Sequence, residues 1–319
     1  MRKIAFIFPG QGAQTTGMGK DLYENFESAR KVFDRADSVL EKSVSKICFE
    51  GPDEALKQTV NTQSCLLTVS IAALEALKEA SNGSIKADYT LGHSLGEYSA
   101  LYTAGVMDLD TTFKAIQKRA DLMQKACECS AQGGMSAILG LSEDKIKECL
   151  EKASSKGLVS IANYNEPNQI VITGELEAVN YANELIKEAG AKRVVPLAVS
   201  GGFHSKLMQS ASNEFETFVN SLELNDASIP VVTNVDAELT TKADDFRSKM
   251  PEQISSSVYW SQSIQKLLEL GVDTFIELGN GKVLAGLNRK ICPAEVKTYN
   301  VFDKDSLMNT VNELNTINV

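Results

Sequence analysis

The sequence is poor in the residues that build metal sites and disulfide frameworks. It has only two histidines, and its six cysteines include no Cys-x-x-Cys pair. This scarcity argues against a zinc site and against a set of stabilising disulfides. We therefore expect no metal, reduced thiols and a cytoplasmic protein.

Long hydrophobic runs and excess basic charge are also missing. No apolar segment reaches the roughly 18 residues needed to span a bilayer. The apolar part of residues 1–9 is too short for a signal peptide and is predicted as a buried first strand. Lys and Arg number 32 against 42 Asp and Glu, which gives a net charge of −10. That balance argues against nucleic acid or an anionic membrane as a general partner, because both attract a basic surface.

What is present is the alternation typical of an α/β protein. Short runs rich in Val, Ile and Phe are separated by amphipathic stretches, of which Asn61 to Ala80 is the clearest helix. Most of the apolar runs are followed by Gly, Asn or Asp, as expected of parallel strands whose loops carry the chemistry. The predicted strands are Ile4–Phe8, Ala87–Leu91, Val231–Val235, Thr274–Leu278 and Thr298–Val301.

The middle of the chain has a different order of predicted elements. It reads Ser136–Leu139 (strand), Ser142–Ser154 (helix), Val159–Ala162 (strand), Gln169–Thr173 (strand), Glu175–Ala189 (helix) and Lys192–Leu197 (strand). This β-α-β-β-α-β order is that of a ferredoxin-like unit. We predict a larger α/β-hydrolase-like domain with a mostly parallel sheet, residues 1–130 and 198–319, and an inserted ferredoxin-like subdomain, residues 131–197. A ligand is expected in the cleft between them.

A Gly-x-Ser-x-Gly motif, Gly92-His93-Ser94-Leu95-Gly96, lies between a predicted strand and a predicted helix. Glycines two residues on either side of the serine avoid a clash in the tight turn of a nucleophile elbow. The Ser94 hydroxyl would then sit at a helix N-terminus, where free N–H groups favour an oxyanion. The motif arises by chance in roughly one chain in ten of this composition. Its position between strand and helix favours a nucleophile over a packing turn.

A serine nucleophile needs a base, and only His93 and His204 are available. His93 directly precedes the serine, so we expect its side chain to point away from the Ser94 hydroxyl and pack locally. His204 lies in a glycine-rich loop between a predicted strand and a predicted helix, Ser205–Leu222. Its alternatives are a helix cap or a packed surface histidine, but elimination favours it as the base. No aspartate motif follows the elbow, which predicts a Ser–His dyad rather than a triad.

Five segments, taken together, have a family resemblance. They are Phe8-Pro9-Gly10-Gln11-Gly12-Ala13-Gln14, Gly92-His93-Ser94-Leu95-Gly96-Glu97-Tyr98, Lys118-Arg119-Ala120-Asp121-Leu122-Met123, Gly201-Gly202-Phe203-His204-Ser205 and Glu277-Leu278-Gly279-Asn280-Gly281-Lys282-Val283-Leu284. In content and order they resemble the signature motifs of the malonyl-CoA:acyl carrier protein transacylase family. The resemblance covers nearly the whole chain, and the inserted subdomain is also a family feature.

The resemblance implies a role for particular residues. Ser94 would be the acylated nucleophile, His204 its base and Arg119 the partner of the malonyl carboxylate. The remaining implied positions are Gln11 and Leu95 (backbone N–H groups of the oxyanion hole), Gln253 (near the histidine), Asn163 (lining the cleft from the small domain) and Phe203 (typical of malonyl-selective members).

Two departures from the family pattern are visible. Asn280 stands where many relatives have proline. If a backbone carbonyl at this position orients the histidine, as the family implies, the exchange should be tolerated. Gly202 stands where alanine is common, which is an exchange of one small residue for another.

The implied activity is that of a malonyl-CoA:acyl carrier protein S-malonyltransferase of fatty acid biosynthesis, working by ping-pong transfer without a cofactor. Its partners would be malonyl-CoA and a holo acyl carrier protein with its phosphopantetheine. Alternatives are a free-standing polyketide-synthase acyltransferase, a serine thioesterase or a non-catalytic acyl-binding protein. Because carrier proteins are acidic, docking would need a local basic patch, for which the candidates are Lys114, Lys118, Lys125 and Lys192-Arg193-Lys206.

Overall fold

A computed structural model describes residues 2–316, so Met1 and residues 317–319 of the predicted large domain lie outside the described residues. The strands are β1 (Ile4–Phe8), β2 (Tyr89–Gly92), β3 (Gly133–Leu139), β4 (Val159–Glu166), β5 (Gln169–Glu175), β6 (Arg193–Pro196), β7 (Val231–Val232), β8 (Leu239–Thr240), β9 (Thr274–Leu278) and β10 (Lys297–Val301).

The α-helices follow in chain order. They are α1 (Lys20–Asn25), α2 (Glu27–Leu40), α3 (Val44–Glu50), α4 (Asp53–Leu56), α5 (Thr59–Ala80), α6 (Gly96–Thr103), α7 (Leu109–Cys129), α8 (Glu143–Ala153), α9 (Leu176–Glu188), α10 (Gln209–Asn220), α11 (Ala243–Ser255), α12 (Trp260–Glu269), α13 (Val283–Ile291) and α14 (Lys304–Thr316). Short 3₁₀ turns cover Ser154–Lys156 and Lys206–Met208.

The large sheet has the strand order β10-β9-β1-β2-β7-β8, and only β8 runs antiparallel to its neighbour. Its central strand β1 is apolar along its length because helices cover both faces of a parallel sheet. The α/β prediction is confirmed. Parallel strands end at the same edge of the sheet, so the loops after β1, β2 and β9 meet there.

Helix α5 fills the core beside this sheet. Sixteen of its 22 residues are buried, which explains why its faces differ little in polarity. By length and composition it could cross a membrane, but 83% of its most apolar window is buried inside the protein. It packs on α2 and on α7, the helix that carries Arg119.

The small sheet has the order β4-β5-β3-β6, with antiparallel pairing throughout. Helices α8 and α9 pack on it around an apolar cluster that includes Ile138, Ile172 and Ile186. The predicted sequence of elements is present, but three strands are longer than predicted, among them β5, which continues to Glu175. β3 begins at Gly133, and β4 continues to Glu166 because its polar end pairs with β5 through two irregularities in register.

Two of the places where the small sheet is bonded to the rest of the chain lie next to the candidate site. Val258, just after α11, donates its N–H to Ala162 O at 2.8 Å and accepts from Tyr164 N at 2.9 Å. At the other place, Thr173 Oγ1 donates to Phe203 O at 2.7 Å, next to His204. Direct bonds therefore join the small sheet to the loops that carry the candidate site.

Candidate active site

The predicted elbow is present between β2 and α6. Ser94 has φ +53°, the left-handed region that a side chain adopts at a cost of about 1 kcal/mol or more. The glycines on either side are required by close backbone approach. A Cβ on Gly92 would lie 2.0 Å from the Gly96 carbonyl carbon, and one on Gly96 would lie 2.2 Å from Phe8 O.

His204 is within hydrogen-bond distance of the serine. Its Nε2 lies 2.8 Å from Ser94 Oγ, while its Nδ1 lies 3.0 Å from Gln253 O and 3.1 Å from Ser256 O. Two carbonyls can only accept, so Nδ1 carries the proton and Nε2 is left with a free lone pair. The geometry is that of a dyad in which backbone carbonyls take the place of a triad's carboxylate.

Burial keeps this imidazole neutral. The His204 side chain is buried, and burial, aided by the positive charge of Arg119, lowers its pKa to about 3. The predicted helix at residues 205–222 is replaced by the 3₁₀ turn and α10. Ser205 caps that turn through its hydroxyl, which accepts from Leu207 N at 3.2 Å.

Arg119 is a buried cation directed at the serine. It is only 1% exposed, and its Nη2 donates to Ser94 Oγ at 3.1 Å and to Gln253 Oε1 at 3.0 Å. Burial lowers its pKa. In the described part of the chain its hydrogen-bond acceptors are uncharged, and no carboxylate there lies within ion-pair distance. A buried charge without a counter-ion is costly, so the site is suited to an anionic ligand.

The backbone N–H groups that could hold an oxyanion face the same pocket. Ser94 N is already used, since it donates to Asn234 Oδ1 at 2.8 Å. The N–H groups of Gln11 and Leu95 donate to no other group within residues 2–316, and both residues line the pocket. They are therefore available donors on two residues that line the same pocket as Ser94.

The pocket has a volume of about 100 Å³ and brings together residues of the small sheet and of the segments that follow β1 and β2. Seven of the eight predicted site residues line it, namely Ser94, His204, Arg119, Gln11, Leu95, Asn163 and Phe203. The eighth, Gln253, lies directly behind it, where it bonds Arg119 and donates from Nε2 to Ser94 O at 2.8 Å. A space this small suits a short acyl group.

Sequence reasoning missed the residues that support the elbow. Asn234 Oδ1 accepts from Ser94 N, while its Nδ2 donates to Gly92 O at 2.7 Å, so one amide ties both arms of the turn. Asn234 N donates to Glu97 Oε2 at 2.6 Å, and burial raises the pKa of the Glu97 carboxyl to about 8. The sequence prediction placed Asn234 inside a strand, Val231–Val235, whereas β7 ends at Val232 and leaves Asn234 in the loop after it.

The prediction that His93 packs locally is wrong. Its Nε2 lies 2.9 Å from Asn165 Oδ1 of the small sheet, and its ring lies 5.7 Å from that of Trp260. The side chain is drawn across the cleft because Asn165 offers it a partner there. It makes no bond to the Ser94 hydroxyl, and burial lowers its pKa.

The expected link between Asn280 and the histidine is also wrong. The carbonyls on His204 belong to Gln253 and Ser256. Asn280 Nδ2 instead donates to Ala13 O at 2.5 Å and to Thr15 Oγ1 at 2.9 Å. Asn280 therefore supports the loop that carries Gln11, through bonds that proline could not make.

Gly202 has less space around it than the expected exchange between glycine and alanine implies. A Cβ there would lie 2.9 Å from Gly174 O and 2.8 Å from Leu207 Cδ1. A Cβ on Gly133 would lie 2.1 Å from Gly202 N. The histidine loop and the small sheet thus meet backbone to backbone.

Other predicted features fall outside this pocket. Within residues 2–316 no group of three His, Cys, Asp or Glu side chains could hold a metal ion. All six cysteines are free thiols. Among the candidate docking lysines, Lys125 is paired with Glu214 at 2.8 Å, which removes it as an uncompensated charge.

Comparison with known proteins gives a consistent result. Residues 5–301 match the family model described as acyl transferase domain. The chain is 46% identical to a malonyl CoA-acyl carrier protein transacylase of Bacillus subtilis, over 96% of each sequence. A solved malonyl CoA-acyl carrier protein transacylase of Clostridium perfringens is 38% identical, with a TM-score of 0.93 over 99% of this chain and 98% of that one. A malonyl-transacylase solved in complex with its type II PKS acyl-carrier protein is 35% identical, with a TM-score of 0.94 over 98% and 99%.

Proposed function

The chain belongs to the malonyl CoA-acyl carrier protein transacylases, and from that premise we propose how its residues carry a malonyl group from malonyl-CoA to an acyl carrier protein. The observation that carries the proposal is the pairing of Arg119 with Ser94. A buried guanidinium without a counter-ion lies 3.1 Å from a serine hydroxyl that is bonded to a neutral histidine.

The first half-reaction forms a malonyl-Ser94 ester. His204 Nε2 takes the hydroxyl proton as Ser94 Oγ attacks the thioester carbonyl. The N–H groups of Gln11 and Leu95 hold the resulting oxyanion, and each such donor can contribute about 3 kcal/mol in the transition state. The C–S bond then breaks, and CoA leaves as a thiol with the proton returned by His204.

The second half-reaction reverses these steps with a new thiol. The phosphopantetheine thiol of the carrier protein gives its proton to His204 and attacks the ester carbonyl. Ser94 leaves and recovers the proton, and malonyl is then joined to the carrier as a thioester. No cofactor takes part in this scheme.

Arg119 selects the acyl group. Its planar guanidinium can bind the malonyl carboxylate through two parallel hydrogen bonds. An acetyl group would leave the buried charge without a partner, which penalises it relative to malonyl. Asn163 and Phe203 line the same pocket and would shape the space around the malonyl group.

We also propose the finer architecture and setting. The mostly parallel sheet with its elbow supports an α/β-hydrolase-like domain, residues 1–130 and 198–319. The order of the small sheet supports a ferredoxin-like subdomain, residues 131–197. Six free thiols fit a cytoplasmic enzyme. The acceptor we assign is the carrier protein of fatty acid biosynthesis. Since one structural relative has a type II PKS carrier as its partner, the rival is a polyketide-synthase acyltransferase, which differs only in acceptor preference.

The test is an intact-mass measurement after mixing the protein with malonyl-CoA and quenching in acid. We expect one malonyl adduct that survives in water and is discharged by holo carrier protein. Release of CoA without an adduct would indicate a thioesterase, and neither adduct nor release would indicate a non-catalytic protein. Discharge by fatty-acid and polyketide carriers, compared side by side, identifies the acceptor.

The acid side of the pH profile should be flat. Because burial lowers the pKa of His204 to about 3, the base stays unprotonated as the pH falls from 7 to 5. We expect kcat/KM for malonyl-CoA to change less than about twofold in this range. A histidine with an ordinary pKa of about 6.5 would lose roughly 30-fold by pH 5. Steady-state CoA release at constant ionic strength measures this, and an acid limb centred near 6.5 would contradict it.

Replacing Asn234 should slow acylation without weakening substrate binding. Asn234→Ala releases both arms of the elbow, so Ser94 Oγ and Leu95 N lose their fixed relation. We expect kcat for malonyl transfer to fall about 10²-fold with KM changed less than threefold, because misplacement of reacting groups acts on the chemical step. Asn234→Asp keeps one acceptor for Ser94 N and should recover part of the loss. Equal rates for the two variants would argue against this positioning role.

A further inference from the structure

Two glutamine amides, and no carboxylate, hold the guanidinium of Arg119. Nη1 donates to Gln63 Oε1 at 2.5 Å, and Nη2 donates to Gln253 Oε1 at 3.0 Å. An amide oxygen fixes the direction of an N–H group without cancelling the charge that the group carries. The guanidinium is thereby oriented while its full positive charge remains for a ligand.

Gln63 is held in this orientation by its own surroundings. It lies on α5, is 1% exposed, and donates from Nε2 to Met123 Sδ at 3.4 Å. Met123 is one helical turn beyond Arg119 on α7. Since Nε2 has this partner, Oε1 is the atom that faces the guanidinium. The amide cannot turn over without losing both bonds.

The nearest titratable groups do not act as a counter-ion to Arg119. Glu97 and Tyr98, from α6, act on Arg119 electrostatically, but Glu97 bonds Asn234 N instead. Tyr98 presents its ring face, 5.6 Å from the guanidinium carbon. His93 is partly buried and His204 is buried; burial lowers the pKa of both rings, and both are neutral. Because the interior screens charge weakly, one added carboxylate in contact with Arg119 would dominate this balance.

We propose that Gln63 is a specificity-determining residue, whose neutral amide orients Arg119 toward the acyl carboxylate and leaves the guanidinium charge uncancelled. This inference rests on the proposed function, in which Arg119 binds the malonyl carboxylate. A glutamate at position 63 would have nearly the same shape but would supply an internal counter-ion. Malonyl would then have to compete with it, whereas acetyl would not.

Gln63 offers a cleaner test of this idea than Gln253. Gln253 also donates to Ser94 O and accepts from His204 through its backbone carbonyl, so its replacement would disturb the dyad. Gln63 has no contact with Ser94 or His204 among the hydrogen bonds of the described residues. Its replacement therefore acts on catalysis through Arg119.

The experiment compares Gln63→Glu with the uncharged, similarly sized Gln63→Met. Acylation of Ser94 is followed by CoA release and intact mass, with malonyl-CoA and with acetyl-CoA. For Gln63→Glu we expect kcat/KM for malonyl-CoA to fall about 100-fold, mainly through KM, while the value for acetyl-CoA changes less than about threefold. For Gln63→Met, malonyl-CoA should lose at most about tenfold, so that most of the malonyl preference survives.

A second readout separates cancelled charge from altered packing. The charge of Arg119 is one cause of the low pKa of His204. If the carboxylate introduced by Gln63→Glu cancels that charge, the acid limb of acetyl-CoA acylation moves to higher pH in this variant and stays in place in Gln63→Met. A purely structural role for Gln63 would move neither limb.

The possible outcomes are distinct. Malonyl preference within threefold of wild type in a folded Gln63→Glu protein would overturn the inference. If that variant does not fold, Gln63→Met decides, because methionine leaves the charge of Arg119 uncancelled but removes the oxygen that orients it. A partial loss of malonyl preference, from about threefold to tenfold, supports the orienting role. An unchanged preference, or a 100-fold loss that would show the amide itself to bind malonyl, overturns the inference. A wild-type protein that forms no malonyl adduct would instead overturn the proposed function.

Discussion

Ser94→Ala is expected to abolish the malonyl adduct and to lower malonyl transfer by at least about 10⁴-fold. The hydroxyl is the atom that His204 and Arg119 both contact, at 2.8 and 3.1 Å, and no second nucleophile lies in the pocket. Loss of the nucleophile from a serine–histidine pair costs this much because the remaining groups have nothing to activate. Intact mass after malonyl-CoA, and transfer to holo carrier protein, measure the two effects.

The matched control is Ser94→Gly, which tests the backbone as well as the chemistry. Both variants lack the hydroxyl, but only glycine adopts φ +53° without strain. We expect Ser94→Gly to be inactive yet more stable than Ser94→Ala, by about 1 kcal/mol in the free energy of unfolding. Chemical denaturation of the two proteins measures the difference. Persistent adduct formation in both would remove Ser94 from its proposed role.

Arg119→Ala should lower acylation of Ser94 by malonyl-CoA more than it lowers acylation by acetyl-CoA. Truncating one member of a buried hydrogen-bonded charge pair costs about 2–5 kcal/mol, so kcat/KM for malonyl-CoA should fall by roughly 30- to 4,000-fold. Acetyl-CoA makes no carboxylate contact, and we expect it to lose less than about tenfold. The ratio of the two kcat/KM values is the measurement. Equal proportional losses would contradict the carboxylate-binding role.

Arg119→Lys separates charge from geometry in the same assay. Lysine keeps the positive charge but cannot make two parallel bonds to a carboxylate. It also cannot donate to Gln63, Gln253 and Ser94 from one planar group as arginine does. We expect malonyl preference between those of wild type and Arg119→Ala. A lysine variant as selective as wild type would mean that charge alone is sufficient.

The elements that could be predicted from sequence are those with local signals. The strands Ile4–Phe8 and Thr274–Leu278 end where their apolar runs end. The elbow could be recognised because its two glycines avoid a steric clash within the turn itself. The order of strands and helices in the small sheet could also be predicted, because the spacing of apolar residues there distinguishes each strand from each helix.

The supporting residues could not be predicted because their partners are distant in sequence. Asn234 lies 140 positions from Ser94, and Gln63 lies 56 positions from Arg119. The partner of His93 was missed for the same reason, since Asn165 reaches it from another sheet. An asparagine or glutamine carries no sequence pattern that tells which of its atoms is needed. Only tertiary packing makes those atoms specific.

The short segment between α11 and α12 contacts both His204 and the small sheet, and so connects the orientation of the base with the shape of the acyl pocket. Ser256 O fixes the imidazole of His204, and two residues later Val258 pairs with β4 of the small sheet. The small sheet also forms one wall of the acyl pocket, because its Asn163 lines that pocket. If the small sheet were exchanged for that of a relative with another acyl preference, the bonds at Val258 would change. We expect Ser256, two residues away, to shift with them and to change the orientation of the His204 imidazole. We therefore expect substrate range and turnover to change together in such a chimera unless residues 256–258 are exchanged along with the small sheet.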